Sequence, residues 1–163
     1  MKFSSILTVF LFLTISFTAC AQQKKAAASG KSYAKLREAS VQRTLPGRQE
    51  GAIEKQYRFV ITWLSATPPE IFFYRGPEAW MNCRVYRLAT ARETRQQAAE
   101  EISPQAVRKG DVLELRPVKG GKFPIPAALP SKYPDIILFK TNKSNWLYLA
   151  VTTVTKKPDI VMP

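Results

Sequence analysis

The sequence predicts an all-β fold, an immunoglobulin-like two-sheet antiparallel β-sandwich with one short surface helix, and leaves a partly open β-barrel as the alternative. Three observations lead there. From about Ala39 onward apolar side chains recur with a period of two, the signature of half-buried strands. Twelve prolines against seven glycines, together with 18 aromatic residues, favour short strands and turns over a helical bundle. Seven strand-like stretches follow one another at short spacing, joined by long proline-rich crossings. With 163 residues, 45% of them apolar and 23% charged, the chain has the balance of one folded domain plus an export leader.

The strands follow in order. Ala39, Val41 and Leu45 alternate with Ser40, Gln42 and Thr44 before the Pro46-Gly47 turn. Ile53, Tyr57, Phe59, Ile61 and Trp63 form one face of a long second strand, opposite Glu54, Gln56, Arg58 and Thr62. A one-residue slip would exchange these faces, so the register is firmly specified. Thr67-Pro68-Pro69 breaks it, and residues 70–75 (EIFFYR) make a third strand closed by Gly76-Pro77. Met81, Cys83 and Val85 alternate with Asn82, Arg84 and Tyr86 in a fourth. Residues 112–118 follow the Lys109-Gly110-Asp111 turn, and residues 136–140 and 146–154 flank a polar hairpin loop at 141–145. The expected core is Phe59, Ile61, Trp63, Phe72, Val85, Leu115, Leu138, Leu147 and Leu149.

Residues 90–101 (TARETRQQAAEE) depart from this pattern. They are rich in helix formers, and Thr90-x-x-Glu93 matches a capping box, so a short surface helix is expected until Ser103-Pro104 stops it. Residues 119–134 carry Pro124, Pro126, Pro130 and Pro134, which predicts an extended connection rather than a ladder.

The N-terminus specifies an address. Lys2 precedes an uncharged apolar run from Ile6 to Phe17, long enough for a secretory signal peptide and too short for a membrane-spanning helix. Two cleavage readings compete. Ala19-Cys20-Ala21 suits cleavage before Gln22, giving a soluble secreted chain. Phe17-Thr18-Ala19-Cys20 instead resembles the lipobox of bacterial lipoproteins, which would make 1–20 the leader and Cys20 the lipidated residue. Residues 21–35, polar and small, are expected to be a flexible tether, leaving 36–163 as the β domain. Through its ACAQ junction, Lys/Gln tether and compact β domain, the whole chain resembles the small envelope lipoproteins of unknown function common in Bacteroidota. Surface-export signals in such lipoproteins are acidic just after the cysteine. Lys24 and Lys25 are basic, so the resemblance implies a lipid anchor facing the periplasm, with the membrane as first partner.

The chemistry is bounded by what is missing. With no histidine, every Ser-His-Asp or Cys-His arrangement and every His-ligated metal site is excluded. Two cysteines cannot form a four-cysteine zinc site. Gly30-Lys31-Ser32 lacks the first glycine of a phosphate loop, because Lys25 stands there. Cys83, on the apolar side of its strand, reads as an inert buried thiol. The twelve carboxylates form no calcium-loop cluster, although Glu70 and Glu114 could meet in space as a glycosidase-type pair. No cofactor, metal or catalytic residue is expected.

Net charge is +13, and +12 once Lys2 leaves with the leader. It is spread evenly along the chain, and most aromatics sit at inward positions, which argues against nucleic acid as a partner. The function expected is that of a non-catalytic envelope lipoprotein, a binding module for a protein or an anionic glycan. The alternatives are an accessory structural subunit of an envelope complex and a carboxylate-based hydrolase. Should Tyr57 and Trp63 be exposed, they would form a stacking surface for sugar rings.

Overall fold

A computed structural model describes residues 27–46, 52–77, 79–88, 99–120, 128–142 and 145–162. The described residues are nearly all β, in eleven strands and one 3-10 turn. The strands are β1 (Ala28–Ser29), β2 (Ala34–Leu45), β3 (Glu54–Trp63), β4 (Pro69–Arg75), β5 (Trp80–Arg87) and β6 (Glu100–Ile102). After the 3-10 turn Pro104–Ala106 come β7 (Val112–Val118), β8 (Asp135–Thr141), β9 (Leu147–Val151), β10 (Thr155–Lys156) and β11 (Ile160–Val161). All seven strands expected from the sequence are present. No described helix is long and apolar enough to cross a membrane.

Pairing is continuous in the order β1-β9-β8-β4-β5-β7-β3-β2-β10, with β11 also on β2 and β6 on β5. The two separate sheets of an immunoglobulin-like sandwich are therefore not what these strands form. One open sheet takes their place, curled so that its inner side chains share a single core. Nor is it wholly antiparallel, because β1 pairs with β9, and β10 and β11 with β2, in parallel. These two-residue strands are too short to show a period, so alternation does not reveal them.

The inner face holds Phe59, Ile61 and Trp63 of β3, Phe72 and Tyr74 of β4, Cys83 and Val85 of β5, Leu113 and Leu115 of β7, Phe139 of β8 and Leu149 of β9. Every residue of the expected core is buried. Leu138, however, points to the opposite side, where it joins Phe73 and Ile136 under Leu129, Tyr133 and Trp146. β8 is thus covered on both faces, which accounts for its unbroken apolar run Ile136–Phe139.

Two boundaries move. Residues 27–35 are not a tether. Ala28 and Ser29 pair with Leu147 and Tyr148, and the Gly30 amide donates to the Tyr148 carbonyl at 2.8 Å. The Gly30 carbonyl accepts from the Ala34 amide at 3.0 Å, which carries the chain from the edge of β9 into β2. Small residues succeed here because the backbone, not a side chain, makes the contact. The expected helix at 90–101 ends in strand, since Glu100, Glu101 and Ile102 pair with Arg87, Tyr86 and Val85. Its remaining residues up to 98 lie outside the described residues, as do the expected leader, Cys20 and the part of the expected tether up to residue 26.

Candidate functional site

The structural feature with the clearest capacity to bind something is a break in the sheet. β3 and β7 pair only over Phe59–Thr62 and Val112–Leu115. β3 continues against β2 down to Glu54, and β7 continues against β5 up to Val118, so both strands outlast their common ladder. The next pair in register would set Arg58 against Arg116, and the one after would set Tyr57 against Pro117. Like charges directly opposite repel, and a proline has no N–H to donate. The strands part where those two pairs would fall.

The parting opens a cleft of about 680 Å³. Outward residues Ser40 and Arg58 line it together with inward residues Tyr57 and Met81, a combination that requires the sheet to be open at that point. Lys55, Arg58, Arg116, Lys119 and Lys157 bring five cations to its walls, against the carboxylates of Glu54 and Glu114. A volume of this size falls within the few-hundred to thousand Å³ range of ligand sites.

Glu114 stands at the head of the cleft and is 3% exposed. Its Oε2 accepts from Arg58 Nε at 2.7 Å and its Oε1 from Arg116 Nε at 2.6 Å. Arg58 also reaches Glu38 at 3.2 Å, and Lys157 approaches the same Glu38 oxygen at 3.4 Å. The Arg116 guanidinium lies 4.1 Å from the centroid of the Tyr86 ring. One buried carboxylate thus holds two guanidiniums that would otherwise repel, and the group keeps a positive excess toward solvent. Arg58→Ala is expected to cost about 1–2 kcal/mol, more than an outward strand residue usually does, because it strips a partner from a buried carboxylate. Urea denaturation checks this, and the Arg58→Ala/Glu114→Ala double variant is expected to lose less than the two single losses added.

Around Tyr57 the cleft meets a second hollow of about 570 Å³, bounded by Val41, Arg43, Lys156 and Asp159. Residues 155–162 make this wall by lying along β2. The Lys157 amide donates to the Val41 carbonyl at 2.8 Å, Gln42 Nε2 to the Pro158 carbonyl at 2.9 Å, and Arg43 binds Asp159 through two nitrogens at 3.0 and 2.6 Å. The Arg43 hydrogen bond holds the Asp159 carboxyl below its usual range. A depressed carboxylate pKa adds stability that is fully present above the ordinary carboxylate range and fades as pH falls through and below it. Arg43→Ala is accordingly expected to move the Asp159 titration upward, as followed by carboxyl-carbon chemical shifts.

The residues singled out from the sequence separate clearly. Tyr57 is half-buried and lines both hollows, stacked 6.4 Å from Phe59 and tilted 5.0 Å from Tyr74. Trp63 is no ligand surface. It is fully buried, its Nε1 donates to the Thr67 carbonyl at 3.2 Å, and Phe72 and Phe139 meet it edge-on. Glu70 and Glu114 do not come together as a pair, since Glu70 faces Lys140 at 3.6 Å while Glu114 is held by the two arginines. Cys83 is buried, and burial pushes its thiol far above the ordinary value, which suppresses the nucleophilic thiolate. Among the described residues no three metal-ligating side chains gather.

Arg58, Glu114 and Arg116 are legible in the sequence as outward strand residues but not as a group. Their assembly depends on which strands pair and where the ladder stops, and that is long-range information.

No family model, curated protein or solved structure matches this chain.

Proposed function

We propose that this protein is a non-catalytic, exported binding module, anchored to the bacterial envelope by a lipid on Cys20, whose cleft between β3 and β7 takes an anionic partner. The cationic excess of that cleft is the observation that carries the reading: five basic side chains against two carboxylates line it, with Arg58, Arg116 and Glu114 sharing their charges among themselves. A cleft with an excess of one charge concentrates counter-charged ligands and speeds their capture. Tyr57 supplies a half-buried aromatic face beside the charges, suited to the flat side of a sugar or an apolar side chain. Among the described residues Glu70 and Glu114 stand with different partners and Cys83 is buried, which favours binding over hydrolysis.

Two experiments test it. Radiolabelled palmitate is expected to enter the protein, and Cys20→Ser to abolish both labelling and membrane partition. An unmodified chain beginning at Gln22 would overturn the anchor. Binding to an immobilised oligogalacturonate, weakening as salt is raised, tests the cleft. Indifference to the polyanion at low salt would remove the anionic-partner reading.

The accessory-subunit reading draws on a different observation. Thr44 opposite Glu54 places Ile53 beside Leu45, and Leu45 pairs with Val161. Ile53 and Val161 are 54% and 67% exposed, so an apolar row ends the β2–β3 arm. Co-sedimentation at a mass above the monomer, lost on Val161→Lys, would favour it.

A further inference from the structure

We infer that the domain docks on the anionic surface of its own membrane through three adjoining loops, at the end of the sheet opposite the cleft. This rests on the lipid anchor at Cys20 and adds a contact surface and an orientation to it. The register sorts the molecule into two ends. Ala34, Trp63 and Val112 lie at one end of β2, β3 and β7, and Thr44, Glu54 and Val118 at the other, where the cleft opens. β1 belongs to the first end, since Ala28 pairs with Leu147 and its amide donates to the Trp146 carbonyl at 2.9 Å. From Cys20 to Ala27 the chain reaches about 24 Å even when fully extended. Tyr57 in the cleft stands about 20 Å farther along β3 than Trp63. The anchor therefore brings the loop end nearest the bilayer, and the cleft lies beyond it.

Backbone hydrogen bonds join the loops at that end into one surface. The Leu64 amide donates to the Tyr33 carbonyl at 2.7 Å, and the Gly110 amide to the Trp63 carbonyl at 2.8 Å, so residues 30–33, 64–65 and 108–111 stand side by side. Lys31, Arg108 and Lys109 are exposed on these loops. Leu64, on the loop that bridges the other two, is 39% exposed, and Trp146 is half-buried beside the point where the chain enters. Cations with an apolar side chain and an interfacial aromatic suit a headgroup layer. Asp111, the carboxylate within these loops, is held by Arg87 Nε at 3.2 Å and by the Arg108 amide at 2.9 Å. On the neighbouring strands Glu70 faces Lys140 and Glu101 faces Arg84, while Glu100 lies on β6, on the far side of β5 from the three loops. A soluble polyanion would meet this end no more often than any other. The anchor keeps phospholipid headgroups within its reach, and that selects them as the partner.

The test uses the protein as cells process it, purified and reconstituted on vesicles of about 30% phosphatidylglycerol in phosphatidylcholine. An environment-sensitive fluorophore is attached at Ser32→Cys or, in a second protein, at Thr153→Cys, exposed beyond β9 at the cleft end; Cys83 is buried and escapes labelling. Docking predicts that the reporter at residue 32 brightens on these vesicles and not on phosphatidylcholine alone, while the one at residue 153 responds to neither. Arg108→Glu/Lys109→Glu is expected to weaken docking at least about tenfold, because each cation at an anionic surface adds about fivefold to adsorption. Lys119→Glu/Lys157→Glu takes as much charge from the opposite end and is expected to change it less than about threefold. Equal loss from both pairs, or brightening at both reporters, would overturn the docking face, since the net charge of +13 alone would then hold the chain to the vesicle. A larger loss from the Lys119 and Lys157 pair would overturn it as well and make headgroups a ligand of the cleft. Palmitate labelling separates this inference from the anchor. Unlabelled protein that still docks at residue 32 loses the anchor and keeps the face, whereas labelled protein with a silent reporter there keeps the anchor and loses the face.

Discussion

Trp63→Ala is expected to destabilise the fold by about 3–5 kcal/mol, a large share of the roughly 5–15 kcal/mol typical of a domain. The indole is fully buried among Tyr33, Phe72 and Phe139, with ring centroids 6.5, 5.9 and 5.4 Å away. Those three rings come from the turn before β2, from β4 and from β8. The void left by alanine could close only if three separately anchored segments moved together, so little of the cavity is expected to collapse. The Thr67 carbonyl would also lose its donor, adding the cost of an unmet polar group. Thr62→Ala, one residue away and on the opposite face, removes only the hydroxyl that accepts from Arg37 and is expected to cost under about 1 kcal/mol. Urea midpoints at unchanged m-value measure both. A Trp63→Ala midpoint within error of the parent would refute the inward placement of this aromatic row.

That contrast between adjacent residues is legible in the sequence alone. The alternation from Tyr57 to Trp63 sets the two faces of β3, and side chains of period two can be sorted without knowing what they pack against. For the same reason all seven longer strands and all nine expected core residues are legible. Strand order is not. Whether β7 pairs with both β3 and β5, giving one sheet, or with one of them, giving two, depends on contacts between residues far apart in sequence, and alternation is silent on those. The placement of Leu138 shows the same limit: Ile136–Phe139 is apolar at every position, so nothing in the sequence says which pair faces the main core. The site is harder still. Arg58 and Arg116 are ordinary outward arginines until the register puts them opposite each other, and Pro117 is an ordinary strand proline until Tyr57 stands across from it. The ladder breaks because of residues that, taken one at a time, carry no signal.

Gly30→Ala is expected to destabilise the protein by about 1–3 kcal/mol, and it tests the least legible part of the fold. A β-carbon at residue 30 would lie 2.4 Å from Phe139 Cζ, 2.7 Å from Cε1 and 3.2 Å from the Tyr148 carbonyl oxygen. The phenyl ring cannot swing clear, since it is fully buried and boxed in by Trp63, Phe72 and Tyr33 at centroid distances of 5.4, 5.7 and 6.4 Å. The backbone cannot easily retreat either, because the Gly30 amide and carbonyl are committed to Tyr148 and Ala34. In a flexible tether the same substitution would be neutral or slightly stabilising, through lower entropy of the unfolded chain. The sign of the effect therefore separates a domain that begins near residue 27 from one that begins near residue 36. A second substitution identifies the cause: Phe139→Leu shortens the ring that the new methyl group strikes, so Gly30→Ala/Phe139→Leu is expected to cost less than the two single variants added together. Strict additivity in denaturation midpoints would place the strain somewhere other than the Gly30–Phe139 contact.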